Sequence, residues 1–294
     1  MQVSKLLLAP GPLFSFEFFP PKTAAAELDF WKAIEDVSSL EPAFVSLTYG
    51  AAGSSRESNF ACLERLRKKT RLEIVAHLAL ANHSKTELLE CVDRIVQLGI
   101  DNILALRGDG AHTTCDGLRF AADFIGLIRK HHPQLCIGAA CYPEIHPEAK
   151  NAEEDLLHLK HKVEAGAHFL VSQLFFDNRT FFEFIQRARA IGIEVPIVPG
   201  ILPVTRLEQA QRISKLCGAK PHPPLFQRLE ALKESPAEME TLGIAFATAQ
   251  CAQLLSQGTY GIHFYTLNRS SATRTVVKAI RAAQHLPFLP GTSP

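Results

Sequence analysis

The chain has 294 residues, 31 Lys and Arg against 30 Asp and Glu, a formal net charge of +1, and 47% hydrophobic against 21% charged residues. That apolar fraction belongs to a packed globular protein and not to a disordered one, and the near-neutral balance leaves no electrostatic footprint for nucleic acid or an anionic membrane. The seven scattered Cys contain no C-x-x-C pair, which argues against a zinc ribbon or disulfide framework and suits a reducing cytoplasm; the apolar run Leu6 to Ala9 is too short for a signal-peptide core, and no stretch is long enough to span a bilayer.

Along the chain, short β-rich runs alternate with longer amphipathic ones. Phe14–Phe18 reads as a strand and Ala24–Leu40 as a helix, followed by strand Phe44–Thr48 and helix Arg56–Lys69, then strand Ile74–Leu78 and helix Thr86–Leu98. The alternation continues through strand Ile103–Leu106 and helix Leu118–His131, strand Ile137–Cys141 and helix Glu153–Ala165, and strand Phe169–Gln173 and helix Arg179–Ala190. Strand Ile197–Pro199 and helix Arg206–Leu216 precede an extra helical segment, Pro223–Gln257; strand Ile262–Tyr265 and helix Ala272–Ala283 end the pattern. Ser84-x-x-Glu87 and Thr205-x-x-Glu208 read as capping boxes, and Gly99, Gly166, Gly192 and Gly218 stand just past helices, where a left-handed cap favours glycine. About eight such repeats close an α/β (β/α)8 TIM barrel, expected here as a single domain over residues 1–294. A doubly wound open sheet is the alternative, weakened because no G-x-G-x-x-G or G-x-x-x-x-G-K-[ST] follows a strand.

Reactive groups of such barrels collect where the strands end. Here the strand ends deliver Glu17, Thr48, His77, Arg107 with Asp109, Tyr142 with His146, Gln173 and the run His263 to Arg269. Each has a plainer reading: a strand Glu is usually solvent-facing, Arg107 and Asp109 could be a surface pair, Tyr142 could be core, His146 a turn residue, and Gln173 a loop brace. Their shared rim raises them together. Glu17, flanked by Phe14, Phe16, Phe18 and Phe19, reads as a carboxyl desolvated in an inward-facing apolar run, the setting a general acid needs. His158 and His161 are spaced i, i+3 on a helix, but no third ligand lies nearby, so a polar helix face is preferred to a metal site. A barrel aldolase or metal-dependent hydrolase would need a Schiff-base Lys or a metal cluster; Lys22 is the nearest candidate.

Phe16-Glu17-Phe18-Phe19-Pro20-Pro21-Lys22, Ser46-Leu47-Thr48-Tyr49-Gly50, Leu106-Arg107-Gly108-Asp109, Tyr142-Pro143-Glu144-Ile145-His146-Pro147-Glu148-Ala149, Gln173-Leu174-Phe175-Phe176-Asp177, Pro199-Gly200-Ile201-Leu202-Pro203 and His263-Phe264-Tyr265-Thr266-Leu267-Asn268-Arg269 resemble, in order, the motifs of the methylenetetrahydrofolate reductase family, in its bacterial barrel-only form. The resemblance implies a barrel with non-covalent FAD at the strand ends, NADH or NADPH as hydride donor, and ping-pong reduction of 5,10-methylenetetrahydrofolate to 5-methyltetrahydrofolate. It implies Glu17 as general acid and Asp109 as the carboxylate beside flavin and pterin. It places Thr48, His77, Arg107, Asp109, Ala121, Tyr142, His146, Asp155, His158, His161 and Lys162 on the flavin, and Glu17, Gln173, Arg269 and, more weakly, Gln209 on the folate. A cytoplasmic homo-oligomer is the accompanying expectation. Three departures stand out: His158 and His161 replace an amide and an Arg, Ile213 replaces an aromatic that stacks on nicotinamide in some relatives, and the loop Gly110–Gly117 lacks prolines often found after Arg-Gly-Asp.

Overall fold

The computed structural model describes residues 1–49, 55–108 and 117–284. Its strands are β1 (Leu13–Phe18), β2 (Phe44–Leu47), β3 (Ile74–Ala79), β4 (Asn102–Leu106), β5 (Cys136–Cys141), β6 (Phe169–Ser172), β7 (Ile197–Val198), β8 (Gly200–Ile201) and β9 (Gly261–Tyr265). All neighbouring pairs are parallel, in the order β7-β6-β5-β4-β3-β2-β1-β9-β8. β7 pairs with β6 and β8 with β9, so these two are halves of one strand interrupted at Pro199, and the ring closes through them. Proline has no N–H for a ladder, but its carbonyl still accepts from His263 N at 2.9 Å, which carries the seam across the break. The architecture is the expected (β/α)8 barrel.

The helices are α1 (Val3–Leu6), α2 (Ala24–Ser38), α3 (Arg56–Lys69), α4 (Lys85–Gln97), α5 (Ala121–His131), α6 (Ala152–Glu164), α7 (Asn178–Ala190), α8 (Leu207–Cys217), α9 (Pro223–Ala231), α10 (Pro236–Ser256) and α11 (Ser271–Gln284). The extra segment before the last strand is thus α9 and α10, each opened by a proline in its first turn, where the missing N–H costs nothing. The four post-helical glycines all take positive φ. The Ser84–Glu87 capping box forms, with Glu87 N donating to Ser84 Oγ and Ser84 N to Glu87 Oε2. The one expected at Thr205 does not: α8 starts at Leu207 behind Arg206, so Thr205 and Glu208 miss the cap and third positions by one residue. α5 also starts later than the pattern suggests, because Asp123 Oδ2 accepts from both Arg119 N and Phe120 N at 2.8 Å and fixes the helix entry there.

Period-two alternation sorts every strand into two faces. Val45, Ile74, Ile103, Ile137, Leu170, Ile197 and Ile262 pack outward against the helices. Phe44, Val75, Leu104, Cys136, Phe169, Val171 and Val198 fill the barrel itself. Gly138 makes room in that interior, since a Cβ there would overlap the Phe169 ring and approach Leu104 Cδ1 within 2.9 Å. The interior cluster also takes in Val3 and Leu7, so α1 plugs the end of the barrel where the strands begin. Buried Asn102 holds the plug, its Oδ1 accepting from Val3 N at 2.8 Å and its Nδ2 donating to Met1 O at 3.0 Å. No helix among the described residues is long and apolar enough to cross a membrane.

Candidate functional site

Above the apolar layers the barrel interior turns polar. In β1, Phe14, Phe16 and Phe18 point outward, where Phe18 meets the Phe30 ring edge-on at 5.8 Å. Ser15 and Glu17 alternate to the inside. The expectation of a carboxyl set among Phe rings is therefore corrected: Phe14, Phe16 and Phe18 face away from it. Its neighbours are two imidazoles, with His77 Nε2 at 3.7 Å and His263 Nε2 at 3.6 Å from Glu17 Oε2. Burial, with a smaller push from His263, lowers the His77 pKa to about 4 against the opposing pull of Glu17. His77 is thus neutral near pH 7, and its approach to Glu17 is a close polar contact rather than an ion pair. His263 is oriented from behind by Ser15, whose Oγ lies 2.8 Å from His263 Nδ1, and its ring stacks on Phe44 at 5.7 Å.

The backbone around Glu17 is tied to the turn after β9. Thr266 Oγ1 donates to the Glu17 carbonyl at 2.6 Å. Asn268 Oδ1 accepts from Phe19 N at 3.0 Å and its Nδ2 donates to Phe19 O at 2.8 Å. Beside it, half-buried Tyr265 donates its hydroxyl to Ser172 O at 2.7 Å, and desolvation pushes its pKa well above the ordinary phenol value.

On the opposite arc, Arg107 makes a two-pronged pair with Glu148 at 2.6 and 2.7 Å. The Tyr142 and His146 rings meet edge-on at 4.5 Å, His146 N donates to Asp155 Oδ2 at 3.0 Å, and Lys162 Nζ donates to Ala140 O at 2.9 Å. Burial lowers the pKa of both His146 and Lys162. α6 thereby brings Lys162 to β5 and Asp155 to the segment after it. His158 lies 4.9 Å from the half-exposed Phe120 ring, next to Ala121 in the first turn of α5, and His161 is exposed beside His158. Among the described residues, no group of three or more His, Cys, Asp or Glu is placed to hold a metal ion.

Gln173 follows β6 and shares a small cleft with Tyr142 and the end of α8 at Gly218. Its Oε1 accepts from Leu174 N at 2.8 Å, so the amide does brace its own loop while standing at the rim. Arg269 is exposed directly after Asn268, and Gln209 is half-buried on α8. Ile213, also on α8, packs against the apolar cluster formed by α8, α9 and the loops after β6 and β8. Asp109, Gly50 and the loop 110–116 lie outside the described residues. Sequence reasoning assigned no role to Ser15, His263, Thr266 or Asn268; the available signal was the strand period, which puts Ser15 with Glu17 and His263 with Tyr265 on inward faces.

The cluster has the features of a ligand site. Ser46 Oγ, Thr48 Oγ1 and His77 Nε2 are buried with no hydrogen-bond partner among the described residues. Ser46 is in register with Glu17, and Thr48 N bonds to Phe18 O at 2.9 Å, so these atoms surround the same mouth. Buried polar atoms are costly unless paired. A flat, polar-edged ring system such as a flavin can pair them, and Arg107, paired with Glu148, and Lys162 add cationic groups on the opposite arc, a donor set that suits a phosphate-bearing ligand.

A family model described as methylenetetrahydrofolate reductase matches residues 3–281. The chain belongs to the methylenetetrahydrofolate reductase family. It is 37% identical over 262 residues to the 5,10-methylenetetrahydrofolate reductase of Pectobacterium carotovorum, covering 89% of this chain and 88% of that one. The Escherichia coli enzyme of the same name is 36% identical over the same shares. The Arabidopsis thaliana methylenetetrahydrofolate reductase (NADH) 1 is 35% identical over 87% of this chain but only 46% of its own length. Among solved structures, a Clostridium thermocellum protein described as binding two copies of 5-methyl-5,6,7,8-tetrahydrofolic acid superposes with a TM-score of 0.73 over 96% of this chain and 100% of its own. At 15% identity that likeness supports the barrel fold alone.

Proposed function

We propose that this family member reduces 5,10-methylenetetrahydrofolate to 5-methyltetrahydrofolate by a ping-pong cycle, with non-covalent FAD at the barrel mouth and NADH or NADPH as hydride donor. The observation that carries the reading is Glu17 standing between two imidazoles at that mouth, with Thr48 Oγ1 and His77 Nε2, unpartnered among the described residues, around it. Bound FAD supplies a two-electron carrier between nicotinamide and folate. Residues of the chain do the rest. The methylene bridge of the substrate accepts hydride poorly until its five-membered ring opens to an iminium cation. Opening needs a proton on the departing nitrogen, and Glu17 delivers it. His77, kept neutral by burial, presents Glu17 with a polar ring and not a cation. Asp109 supports the iminium charge and binds the pterin, Gln173 reads the pterin edge, and Arg269 with Gln209 engages the remainder of the folate. Thr48, His77, Tyr142, His146 and Ala121 line the flavin; Arg107 and Lys162 hold its pyrophosphate; Asp155, His158 and His161 complete the wall on α6. The proposal includes one catalytic barrel over residues 1–294, acting in the cytoplasm as a homo-oligomer without nucleic-acid or membrane partners.

The test is anaerobic flavin spectroscopy. Purified protein is expected to be yellow, to bleach with NADH or NADPH, and to regain the oxidised spectrum on addition of methylenetetrahydrofolate. Glu17→Gln should bleach at a rate within about twofold of the parent while its reoxidation by folate falls roughly 100-fold or more. Colourless protein that takes up no FAD sinks the proposal, and equal loss of both half-reactions would give Glu17 a structural role.

A further inference from the structure

Glu17 is the penultimate residue of β1, and the segment beyond that strand is poorly equipped to hold itself. It runs Phe18, Phe19, Pro20, Pro21, so Phe19 carries the last backbone N–H before two residues that have none. Both backbone polar groups of Phe19 are taken by one side chain, Asn268, from a turn 249 residues away. Thr266 Oγ1 joins the same assembly, donating to the Glu17 carbonyl while accepting from Asn268 N at 3.1 Å. To aim its amide back at β1, the turn runs through two successive left-handed residues, Leu267 at φ 51° and Asn268 at φ 59°. Asn tolerates that region; Leu is strained in it. A turn that merely linked β9 to α11 would be served better by glycine. Nor is the bracket needed to join the two strands, because β1 and β9 are already paired in register from Leu13↔Gly261 up to Glu17↔Tyr265. It acts just above the last of those pairs, on Phe19, one residue beyond Phe18, which pairs with Leu47 of β2, and so at the point where the strand that carries Glu17 leaves the ladder.

We infer that Asn268 is a positioning residue for Glu17, its carboxamide bracket on Phe19 holding the carboxyl where it meets the departing nitrogen of the folate. The inference rests on the reading of Glu17 as proton donor. The FAD-loaded Asn268→Gly and Leu267→Gly variants separate bracket from strain, since glycine accepts the left-handed backbone at either site. Asn268→Gly should slow flavin reoxidation by methylenetetrahydrofolate roughly 10- to 100-fold, leave bleaching by NADH within about twofold, and add no further loss when built into Glu17→Gln, because it acts through that carboxyl. Leu267→Gly should keep both half-reactions. Equal slowing of both half-reactions by Asn268→Gly, or a full additional loss in the Glu17→Gln background, overturns the positioning role. If Asn268→Gly does not fold, Asn268→Asp provides the decision: it keeps an acceptor for Phe19 N–H but loses the donor to Phe19 C=O, and reoxidation at the parent rate would overturn the inference. A Glu17→Gln protein that reduces folate normally would instead bring down the underlying reading, and this inference with it.

Discussion

His77 shows how a single buried ring couples the site to pH. In the unfolded chain its imidazole titrates near ~6.5, whereas burial holds it down to about 4 in the fold. Between those values the unfolded chain takes up a proton that the folded chain refuses. Stability is therefore full above the upper value and is lost as the pH falls through the window, by up to about 3 kcal/mol. Urea unfolding at pH 7.5 and 4.5 should show this loss, and His77→Gln should flatten it relative to the parent, over a background of the same sign from His146 and His168, whose pKa values burial also lowers. An unchanged pH slope in the variant would mean that His77 is not held neutral. At this scale the sequence was informative about which residues reach the rim, because strand ends are visible as local pattern. It was uninformative about what they touch. The Ser15–His263 and Phe19–Asn268 contacts join residues some 250 positions apart, and no local spacing encodes them. Glu17 illustrates the difference: Phe14, Phe16 and Phe18, its neighbours along the strand, became, through alternation, groups it does not face.

Most strands and helices were legible to within a few residues, because apolar runs of period two and period 3.6 differ clearly where each βα unit buries one face of each element; the two-residue β8 was too short to read. Boundaries failed where the pattern was overridden, as by the Asp123 side chain at the entry to α5, or where the cap fell one residue past the expected one, on Arg206 instead of Thr205 at α8. α10 holds a constraint of the same kind. Gly243 lies inside this helix, where glycine costs ~1 kcal/mol relative to alanine. An added Cβ there would overlap the Val204 carbonyl in the segment after β8. Gly243→Ala should therefore reverse the propensity argument and destabilise the protein by roughly 2 kcal/mol or more, since the helix must move away from backbone that cannot yield. Denaturant unfolding reads the sign directly, and a stabilised variant would show that α10 does not pack that closely.

At the scale of the whole molecule, the barrel divides its labour between its two ends. The mouth carries the polar cluster, while the opposite end is closed by α1 and lined by apolar side chains. Four residues are too few to display a helical period, so α1 left no mark in the pattern, although Val3 and Leu7 are almost completely buried. Leu7→Ala should cost about 2–4 kcal/mol of stability and leave both flavin half-reactions unchanged below the unfolding transition; altered half-reactions in the folded variant would mean that the plug communicates with the mouth. The seam at Pro199 has a consequence of another kind. Gly200 lies where β8 resumes, and a Cβ there would come within 2.6 Å of the Tyr265 ring and 2.8 Å of its hydroxyl, as well as overlapping the Ser172 carbonyl. The Ser172 backbone alone demands glycine here, and Tyr265 exploits the bare backbone by lying close over it, so the seam that closes the ring also supplies the floor on which an aromatic ring at the mouth rests.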